Sequence, residues 1–213
     1  MYEVELKVRA THEPVREALV AREATRLGTV EQNDTYYDAP HRSFAETDEA
    51  LRLRRETHEE DAEERGGNMA EDAAERGGET AANERGTTTH LTYKGPLVDT
   101  TSKTREEAET VVADADAAAS IVESLGFSPA ASVRKHRERF AFGEYTVALD
   151  SVTDVGQFVE IERTVEREAE IDRARDGARE RLADLGLDPD DQLQTSYLGL
   201  LLDARDSADE QDE

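Results

Sequence analysis

The chain has 213 residues, enough for one well-buried domain, and its 51 acidic against 26 basic residues give a formal charge of −25. Such an acidic surface argues against nucleic acid as a partner, because binding phosphate from outside needs a basic face. There is no cysteine, which excludes disulfides, thiolate catalysis and cysteine metal sites.

The composition also favours a cellular location. High salt screens the self-repulsion of an acidic protein, so a salt-rich, haloarchaeal-like cytoplasm accounts for the acidity and for the scarce lysine. The chain has no apolar run approaching roughly 18 residues and no signal-peptide pattern. We therefore expect a soluble cytoplasmic protein with no membrane partner.

Apolar and charged residues alternate over residues 2–9, which predicts an opening β-strand. One face of this strand would carry Glu3, Glu5, Lys7 and Arg9. Because charged residues form strands poorly unless packing requires it, this face is either exposed to water or part of a charged cavity.

Lysine usage favours the cavity. Only four of the 26 basic residues are lysines, and none lies in a segment predicted to be helical, where lysine is a favourable residue. All four fall in strand-like segments: Lys7, Lys94, Lys103 and Lys135. We infer that these lysines line an interior.

A helix and two strands are predicted next. Thr11 is expected to cap a helix that runs to about Leu27 and ends at Gly28. The strands are predicted over residues 30–38 and 50–55. The second strand places Arg52 and Arg54 on one face, a spacing that suits bidentate binding of an oxyanion.

The periodic spacing of apolar residues is then lost in a low-complexity acidic stretch at about residues 57–89. This stretch cannot bury enough apolar surface to offset its ordering entropy, so we predict a disordered or weakly helical insertion without chemistry. Residues 203–213 are predicted to form an acidic disordered tail, which leaves a single domain over residues 1–202.

Order returns after the insertion. Strands are predicted over residues 90–96, 101–109, 133–142, 144–152 and 156–162, and helices over residues 111–125, 166–185 and 196–202. The strand at 90–96 is expected to end at Gly95 and Pro96, and Ser196 or Thr195 to cap the last helix. Eight mostly sequential strands with helices only at the turns indicate an α+β fold, an antiparallel barrel-like sheet with helices packed outside.

An interior of this kind would hold two opposing sets of charges. The carboxylates are Glu3, Glu5, Asp150, Glu160 and Glu162, and the cations are Lys7, Arg52, Arg54, Lys94, Lys135 and Arg137. Because unmatched buried charges are costly, these groups must be solvated, paired or occupied by a ligand. Carboxylates without His or Cys suit Mg²⁺ or Mn²⁺ and the cations suit a polyanion, which together predict a site for a metal-bound triphosphate. The histidines are expected to play no part, and His136 is expected to face the other way.

The motif Glu3-Val-Glu5-Leu-Lys7 resembles the Glu-x-Glu-x-Lys signature of the CYTH family, the triphosphate tunnel metalloenzymes that include class IV adenylate cyclases and thiamine triphosphatases. Further stretches resemble the family in the same order, at residues 34–38, 51–54, 93–96, 103–107, 135–137, 150, 156–162, 196–197 and 200–201. The resemblance covers most of the chain, whereas the insertion and the tail are not part of the family pattern.

The resemblance implies an eight-stranded antiparallel tunnel with defined roles inside it. It implies catalytic roles for Glu3, Glu5 and Lys7, and metal positions at Glu3, Glu5, Asp150, Glu160 and Glu162. It implies phosphate binding by Lys7, Arg52, Arg54, Lys94, Arg105, Lys135 and Arg137. The implied cofactor is Mg²⁺ or Mn²⁺, and the family's frequent dimers leave a homodimer open.

Within the family, the sequence looks most like the class IV cyclases, which implies conversion of ATP to cyclic AMP and pyrophosphate. The alternative is a triphosphatase that acts on inorganic tripolyphosphate, thiamine triphosphate or a nucleoside triphosphate in the same tunnel. A polyphosphate-binding module without turnover is a third reading, disfavoured because a sensor would need only the cations.

Overall fold

Eight antiparallel strands form a closed barrel. The computed structural model describes residues 1–59, 86–99 and 102–209. Strands β1 to β8 are Tyr2–Arg9, Thr25–Asp38, Ala50–His58, Thr87–Asp99, Lys103–Val112, Ser128–Phe142, Tyr145–Val152 and Gly156–Val165. They pair in the order β1-β5-β4-β3-β2-β6-β7-β8, and β8 returns to β1. The predicted eight-stranded antiparallel barrel is therefore confirmed.

The hydrophobic core lies between the barrel wall and the helices outside it. The helices are α1 His12–Ala21, α2 Phe44–Thr47, α3 Ala115–Ser124, α4 Ile171–Asp184 and α5 Tyr197–Asp209. Ala178 and Leu182 of α4 pack in one buried cluster with Leu6 and Val8 of β1 and with Ile161 of β8. Because side chains alternate along a strand, directing these apolar residues outward directs their charged neighbours into the barrel.

No helix in the part of the chain that the structure describes is long and apolar enough to cross a membrane.

Two helix boundaries differ from the prediction because strand pairing extends into them. Helix α1 ends at Ala21 rather than near Leu27, and β2 begins at Thr25 and pairs with β6. Gly28 consequently lies inside β2 at a register shift, with φ 118°, and is not a helix stop. Likewise, Val111 belongs to the end of β5, and α3 begins only after the N-cap Asp114, whose carboxylate accepts two backbone N–H bonds.

Three further element boundaries differ from the prediction. Strand β4 continues through Gly95 and Pro96 by shifting its register against β5, so this pair does not end the strand. Helix α4 begins at Ile171, after a 3-10 turn over Glu168–Glu170, rather than at residue 166. Helix α5 has the predicted cap, since Ser196 Oγ accepts from the Gly199 N–H at 3.0 Å, but it continues beyond residue 202 to Asp209.

The predicted insertion starts and ends inside paired strands. Thr57 of β3 lies opposite Thr87 of β4, so both flanks of the predicted 57–89 segment belong to the barrel. Residues 60–85 lie outside the described residues, as do 210–213, and the predictions for those residues stay predictions.

Candidate active site: a charged tunnel through the barrel

Strand register brings the charged residues of distant segments together inside the barrel. Glu5 lies directly opposite Glu162 of β8 and opposite Lys103 of β5, and Lys7 lies opposite Glu160. All four lysines of the chain line one interior cavity. The inference that they face an interior is therefore confirmed.

The interior has two ends. A cavity of about 100 Å³ contains nearly all of the predicted site residues: Glu3, Glu5, Lys7, Arg52, Arg54, Lys94, Arg105, Lys135, Arg137, Glu160 and Glu162. A second cavity of about 280 Å³ shares Glu3, Arg52, Arg54, Arg137 and Glu162 with it. Because of this shared lining, we describe the two cavities as one tunnel. Its polar mouth lies at Met1, His90 and Glu109, and its α5 mouth lies at Asp48, Ser196 and Leu198.

Asp34 organises the arginines of β3. Arg54 donates to both Asp34 oxygens, at 2.6 and 2.7 Å, and an Arg52 nitrogen lies 3.6 Å from the same carboxylate. Burial alone would raise the pKa of Asp34, but Arg54 and Arg52 hold it well below the usual range, so the carboxylate stays charged. Asp34 lies in a stretch that carried the family resemblance, yet sequence reasoning gave it no role. The role of Asp34 becomes visible only in the pairing of β2 with β3, which places Asp34 opposite Arg54.

Two tunnel arginines keep unused donors. Among the residues that the structure describes, the buried Nε atoms of Arg52 and Arg105 have no hydrogen-bond partner. Arg105 is held by the loop before β3, since it donates to the Asp48 carbonyl and lies 2.6 Å from the Asp48 carboxylate. Buried donors without a partner are costly, and an oxyanion in the tunnel would satisfy them.

Asp150 binds two of the tunnel cations but does not itself line the tunnel. Arg137 donates to its two oxygens at 2.7 and 2.6 Å, Tyr197 Oη donates to it at 2.9 Å, and Lys135 lies 3.5 Å away. Asp150 is fully buried and belongs to neither cavity lining. The structure therefore places this predicted metal ligand behind Arg137, with both oxygens already engaged. Arg137 also donates to Glu160.

The remaining carboxylates differ sharply in proton affinity. Burial would raise the pKa of Glu3, but contact with Lys94 lowers it to about 2. Burial raises the pKa of Glu162 to about 7 despite the charge of Arg137, and neighbouring carboxylates led by Glu3 add to the rise. Glu107 lies 3.1 Å from Lys94, and burial, reinforced by Glu3, raises its pKa to about 7. Near neutral pH, Glu162 and Glu107 are therefore partly protonated, whereas Glu3 stays charged.

The donor chemistry fits a hard divalent cation. Glu5 and Glu162 face each other across neighbouring strands, an arrangement that repels unless a cation lies between the two groups. Glu3 lines the same cavity, and no histidine lines it. Carboxylate oxygens without nitrogen or sulfur are the ligands that Mg²⁺ and Mn²⁺ prefer.

Burial disfavours the protonated form of two tunnel lysines. Burial lowers the pKa of Lys103 to about 7, and the charge of Lys7 lowers it further. Burial, reinforced by Arg137, lowers the pKa of Lys135 to about 8. The sequence predicted that Lys103 lies in the interior, but it did not place Lys103 among the phosphate-binding residues. Lys103 and Arg105 are two residues apart on β5 and therefore share a face, and this spacing could have indicated that they line the same cavity.

Tyr197, at the start of α5, packs against two of the tunnel lysines. Its ring centroid lies 4.4 Å from Lys7 Nζ and 5.0 Å from Lys135 Nζ, within the range of cation–π attraction. With its hydroxyl bonded to Asp150, this side chain joins the start of α5 to the barrel. The sequence placed Tyr197 in the predicted terminal helix and in the family resemblance, but it predicted no contact with the tunnel lysines.

A second acidic group lies outside the tunnel. Ligand atoms of Glu31, Glu59 and His136 lie within 4.8 Å of one another. Glu31 and His136 are register partners on β2 and β6, on the outer face of the sheet, so His136 does face away from the tunnel as predicted. Its grouping with two carboxylates was missed because Glu59 lies beyond the end of β3.

A closed antiparallel barrel that contains facing carboxylates and cations defines a protein class built to surround a chain of phosphates. Comparison with known proteins identifies the family. A model of the CYTH domain matches residues 1–197, and the chain belongs to the CYTH family. The predicted family membership is thus confirmed.

Individual relatives agree with this assignment. A Methanocaldococcus jannaschii protein that carries the name "putative adenylate cyclase" is 32% identical over 169 residues, which cover 79% of this chain and 80% of the relative. The solved structure of the protein PH1819 from Pyrococcus horikoshii is 33% identical, with a TM-score of 0.76, over 94% of this chain and 98% of the other. A Vibrio parahaemolyticus structure described as a putative adenylate cyclase shares the fold at 22% identity and TM-score 0.72, over 95% of this chain and 98% of the other.

Proposed function

We propose that the protein is a divalent-metal-dependent adenylate cyclase that converts ATP to cyclic AMP and pyrophosphate. The observation that carries this proposal is the tunnel itself, in which carboxylates and cations face each other around an open channel. The names of the Methanocaldococcus and Vibrio relatives support the choice of cyclase within the family.

The cations would bind the phosphate chain. The proposed set is Lys7, Arg52, Arg54, Lys94, Arg105, Lys135 and Arg137. Asp34 and Asp150 hold the guanidinium groups of Arg54 and Arg137 in place through paired hydrogen bonds. Donors fixed in this way need little reorganisation as charge moves onto the leaving pyrophosphate, which lowers the barrier to reaction.

Glu3, Glu5 and Glu162 would hold Mg²⁺ or Mn²⁺. Glu160 and Asp150 already bind Arg137, so we assign them a supporting role in orienting that cation. A bound divalent ion would polarise the phosphate oxygens and lower the pKa of a hydroxyl that it contacts.

In the cyclase reaction, the ribose 3′ oxygen of ATP forms a bond to the α-phosphorus. The bond from that phosphorus to the α,β-bridging oxygen breaks, pyrophosphate leaves, and the hydroxyl proton passes to solvent. Lys7, whose Nζ lies 3.9 Å from a Glu5 oxygen and 4.0 Å from a Glu160 oxygen, would lie beside the reacting phosphate. The arginines would neutralise the pyrophosphate.

Hydrolysis of a triphosphate is the second candidate, and the open polar mouth favours it. This mouth is lined by Glu107, Glu109 and Arg139 and gives water a path to a terminal phosphorus. A Hippeastrum structure of the same fold, at 15% identity and TM-score 0.57, is described as having a dominant triphosphatase activity. Attack by water would release orthophosphate and leave a diphosphate.

A product assay separates these functions. The purified protein is incubated with ATP and Mg²⁺ or Mn²⁺ in high salt, and we expect cyclic AMP and pyrophosphate in equal amounts. Orthophosphate without cyclic AMP would reject the cyclase in favour of the triphosphatase, and binding without either product would leave a binding module. Glu5→Gln should abolish turnover, whereas the matched control Glu17→Gln, on the exposed face of α1, should not change it.

A further inference from the structure

A histidine and a glutamate form a hydrogen-bonded pair at the polar mouth. Nδ1 of His90 lies 3.1 Å from Oε1 of Glu109, and the other oxygen of this carboxylate accepts a hydrogen bond from Thr92 Oγ1 at 2.7 Å. Thr92 is fully buried, so it attaches the Glu109 carboxylate to the barrel wall. Two successive hydrogen bonds therefore fix the orientation of the imidazole ring.

Strand register places this pair on the tunnel side of the sheet. His90 of β4 lies opposite Arg54 of β3, and Glu109 of β5 lies opposite Thr92 of β4. Because residues two apart on a strand share a face, His90 and Thr92 point to the same side as Lys94, which lines the tunnel. Both members of the pair consequently line the cavity at the polar mouth, together with Arg54.

The second ring nitrogen of His90 is unused. Among the residues that the structure describes, Nε2 of His90 has no hydrogen-bond partner. An ionised carboxylate can accept but not donate, so Nδ1 carries the proton shared with Glu109, and Nε2 of a neutral ring keeps its lone pair. The His90 and Glu109 side chains are 22% and 36% exposed, so water reaches them. An imidazole held by a carboxylate at one nitrogen and open to water at the other has the arrangement of a general base.

The position of His90 distinguishes it from the other histidines. All five histidines lie in the part of the chain that the structure describes, and only His90 lines the tunnel. His136 also has a glutamate neighbour, Glu59 at 3.5 Å, but it lies on the outer face of the sheet. We expected no role for any histidine, and the location of His90 is the reason to revise that expectation for this residue.

The cavity that holds the pair can also receive a phosphate. Arg52, Arg54 and Arg137 line both this cavity and the narrower part of the tunnel, so a chain of phosphates bound by these arginines would extend towards the pair. The cavity has a volume of about 280 Å³, and one water molecule takes up roughly 30 Å³ in the liquid. The polar mouth therefore has room for a terminal phosphate and for water beside it.

We propose that His90 is the general base of a hydrolytic reaction at the polar mouth, with Glu109 as the residue that positions it, so that the tunnel releases orthophosphate as well as cyclic AMP. This inference rests on the proposed function, because the tunnel must bind a triphosphate. A water oxygen forms a bond to the terminal phosphorus, and Nε2 of His90 takes a proton from that water. The bond from the phosphorus to its bridging oxygen breaks, and the diphosphate leaves with the electron pair. The imidazolium, stabilised by Glu109, then returns its proton to solvent.

The cyclase reaction does not use this pair. Its nucleophile is a hydroxyl group of the substrate and its electrophile is the α-phosphorus, so neither water nor the terminal phosphorus takes part. The two reactions would share the tunnel cations and differ in the group that accepts the proton. Removing His90 should therefore change the ratio of the two products.

Parallel measurement of both products tests this assignment. The protein is incubated with ATP and Mg²⁺ in high salt, and orthophosphate and cyclic AMP are measured in the same samples. A general base contributes about 10²–10⁴-fold to the rate, so His90→Ala should lower the ratio of orthophosphate to cyclic AMP at least a hundredfold. The matched control is His136→Ala, which removes the outer-face histidine and should not change the ratio.

Chemical rescue gives a result that a merely structural role would not produce. Added imidazole can enter the space left in His90→Ala, because the site is open to water, and it should raise orthophosphate release at least tenfold. Glu109→Gln should lower the kcat of orthophosphate release at least tenfold with KM unchanged, since an amide can accept from Nδ1 but does not stabilise the imidazolium. If His90→Ala does not fold, His90→Gln provides the same product comparison.

The possible outcomes separate this inference from the proposed function. Cyclic AMP without orthophosphate from the wild-type protein would overturn the inference and support the cyclase. Orthophosphate release that survives the loss of His90, or that imidazole does not restore in His90→Ala, would also overturn it. Orthophosphate without cyclic AMP would reject the cyclase, and a hundredfold loss of that orthophosphate in His90→Ala would still support the inference. Formation of neither product would reject both.

Discussion

Replacing Asp34 by asparagine should destabilise the protein strongly and make it depend on a bound polyanion. The Asp34 side chain is 2% exposed and that of Arg54 is 10% exposed, so water screens their interaction poorly. The substitution keeps the shape but removes the charge that Arg54 and Arg52 share. Breaking a buried ion pair in this way costs about 3–5 kcal/mol.

That loss can be measured as a change in melting temperature. For a chain of this size, 1 kcal/mol corresponds to roughly 2–4 °C, so the expected fall is about 6–20 °C. Tripolyphosphate should raise the melting temperature of Asp34→Asn more than that of the wild type, because the two arginines would regain a counter-charge. The assay is thermal unfolding followed by circular dichroism, with and without the ligand.

The matched control is another aspartate with an arginine partner at the same distance. Asp116 lies 2.6 Å from Arg55, but their side chains are 90% and 53% exposed. Exposed pairs contribute at most about 1 kcal/mol, so Asp116→Asn should shift the melting temperature only slightly. If the two variants melt within about 2 °C of each other, the argument that Asp34 organises the tunnel arginines is refuted.

Three further predictions concern the same tunnel. Tyr197→Phe should lower the free energy of unfolding by about 1–3 kcal/mol in urea titrations, because the buried Asp150 loses a donor at 2.9 Å; an unchanged value would contradict the observed hydrogen bond. Tripolyphosphate binding should weaken as pH rises from 7 to 9, because Lys103 and Lys135, with pKa values of about 7 and 8, lose the charge that attracts phosphate. Binding should also take up protons, and calorimetry in two buffers of different ionisation enthalpy would detect this; a pH-independent affinity would refute it. Arg137→Lys should reduce turnover at least about a hundredfold, because lysine cannot replace the paired bonds to Asp150, and a smaller loss in a product assay would show that these bonds do not position the cation.

The property most easily predicted from the sequence was which face of a strand points into the barrel. The period of two along β1 put Glu3, Glu5 and Lys7 on one face, and these side chains do line the tunnel. The lysine pattern pointed the same way, since every lysine of the chain lies in that lining. These inferences succeeded because they depend only on local strand geometry and on the absence of lysine from the predicted helices.

The helix boundaries were less predictable because tertiary pairing overrode local preference. Residues 25–28 continue a helical pattern in sequence, yet pairing with β6 draws them into β2. Gly95 and Pro96 usually interrupt a strand, yet a register shift carries β4 through them. In both places, hydrogen bonds to a distant strand outweigh the local signal.

By itself, the sequence determined most of the residues that face the interior, how many strands form the sheet and which family the chain resembles. The tertiary structure alone decided how those interior charges pair. Whether Asp150 faces the tunnel or supports Arg137, and whether Glu5 meets Glu162, depends on the register between strands far apart in the chain. The largely apolar cavity between α5 and strands β2 and β6 likewise exists only because α5 returns to lie beside them, since no single segment contains enough of its lining to indicate it.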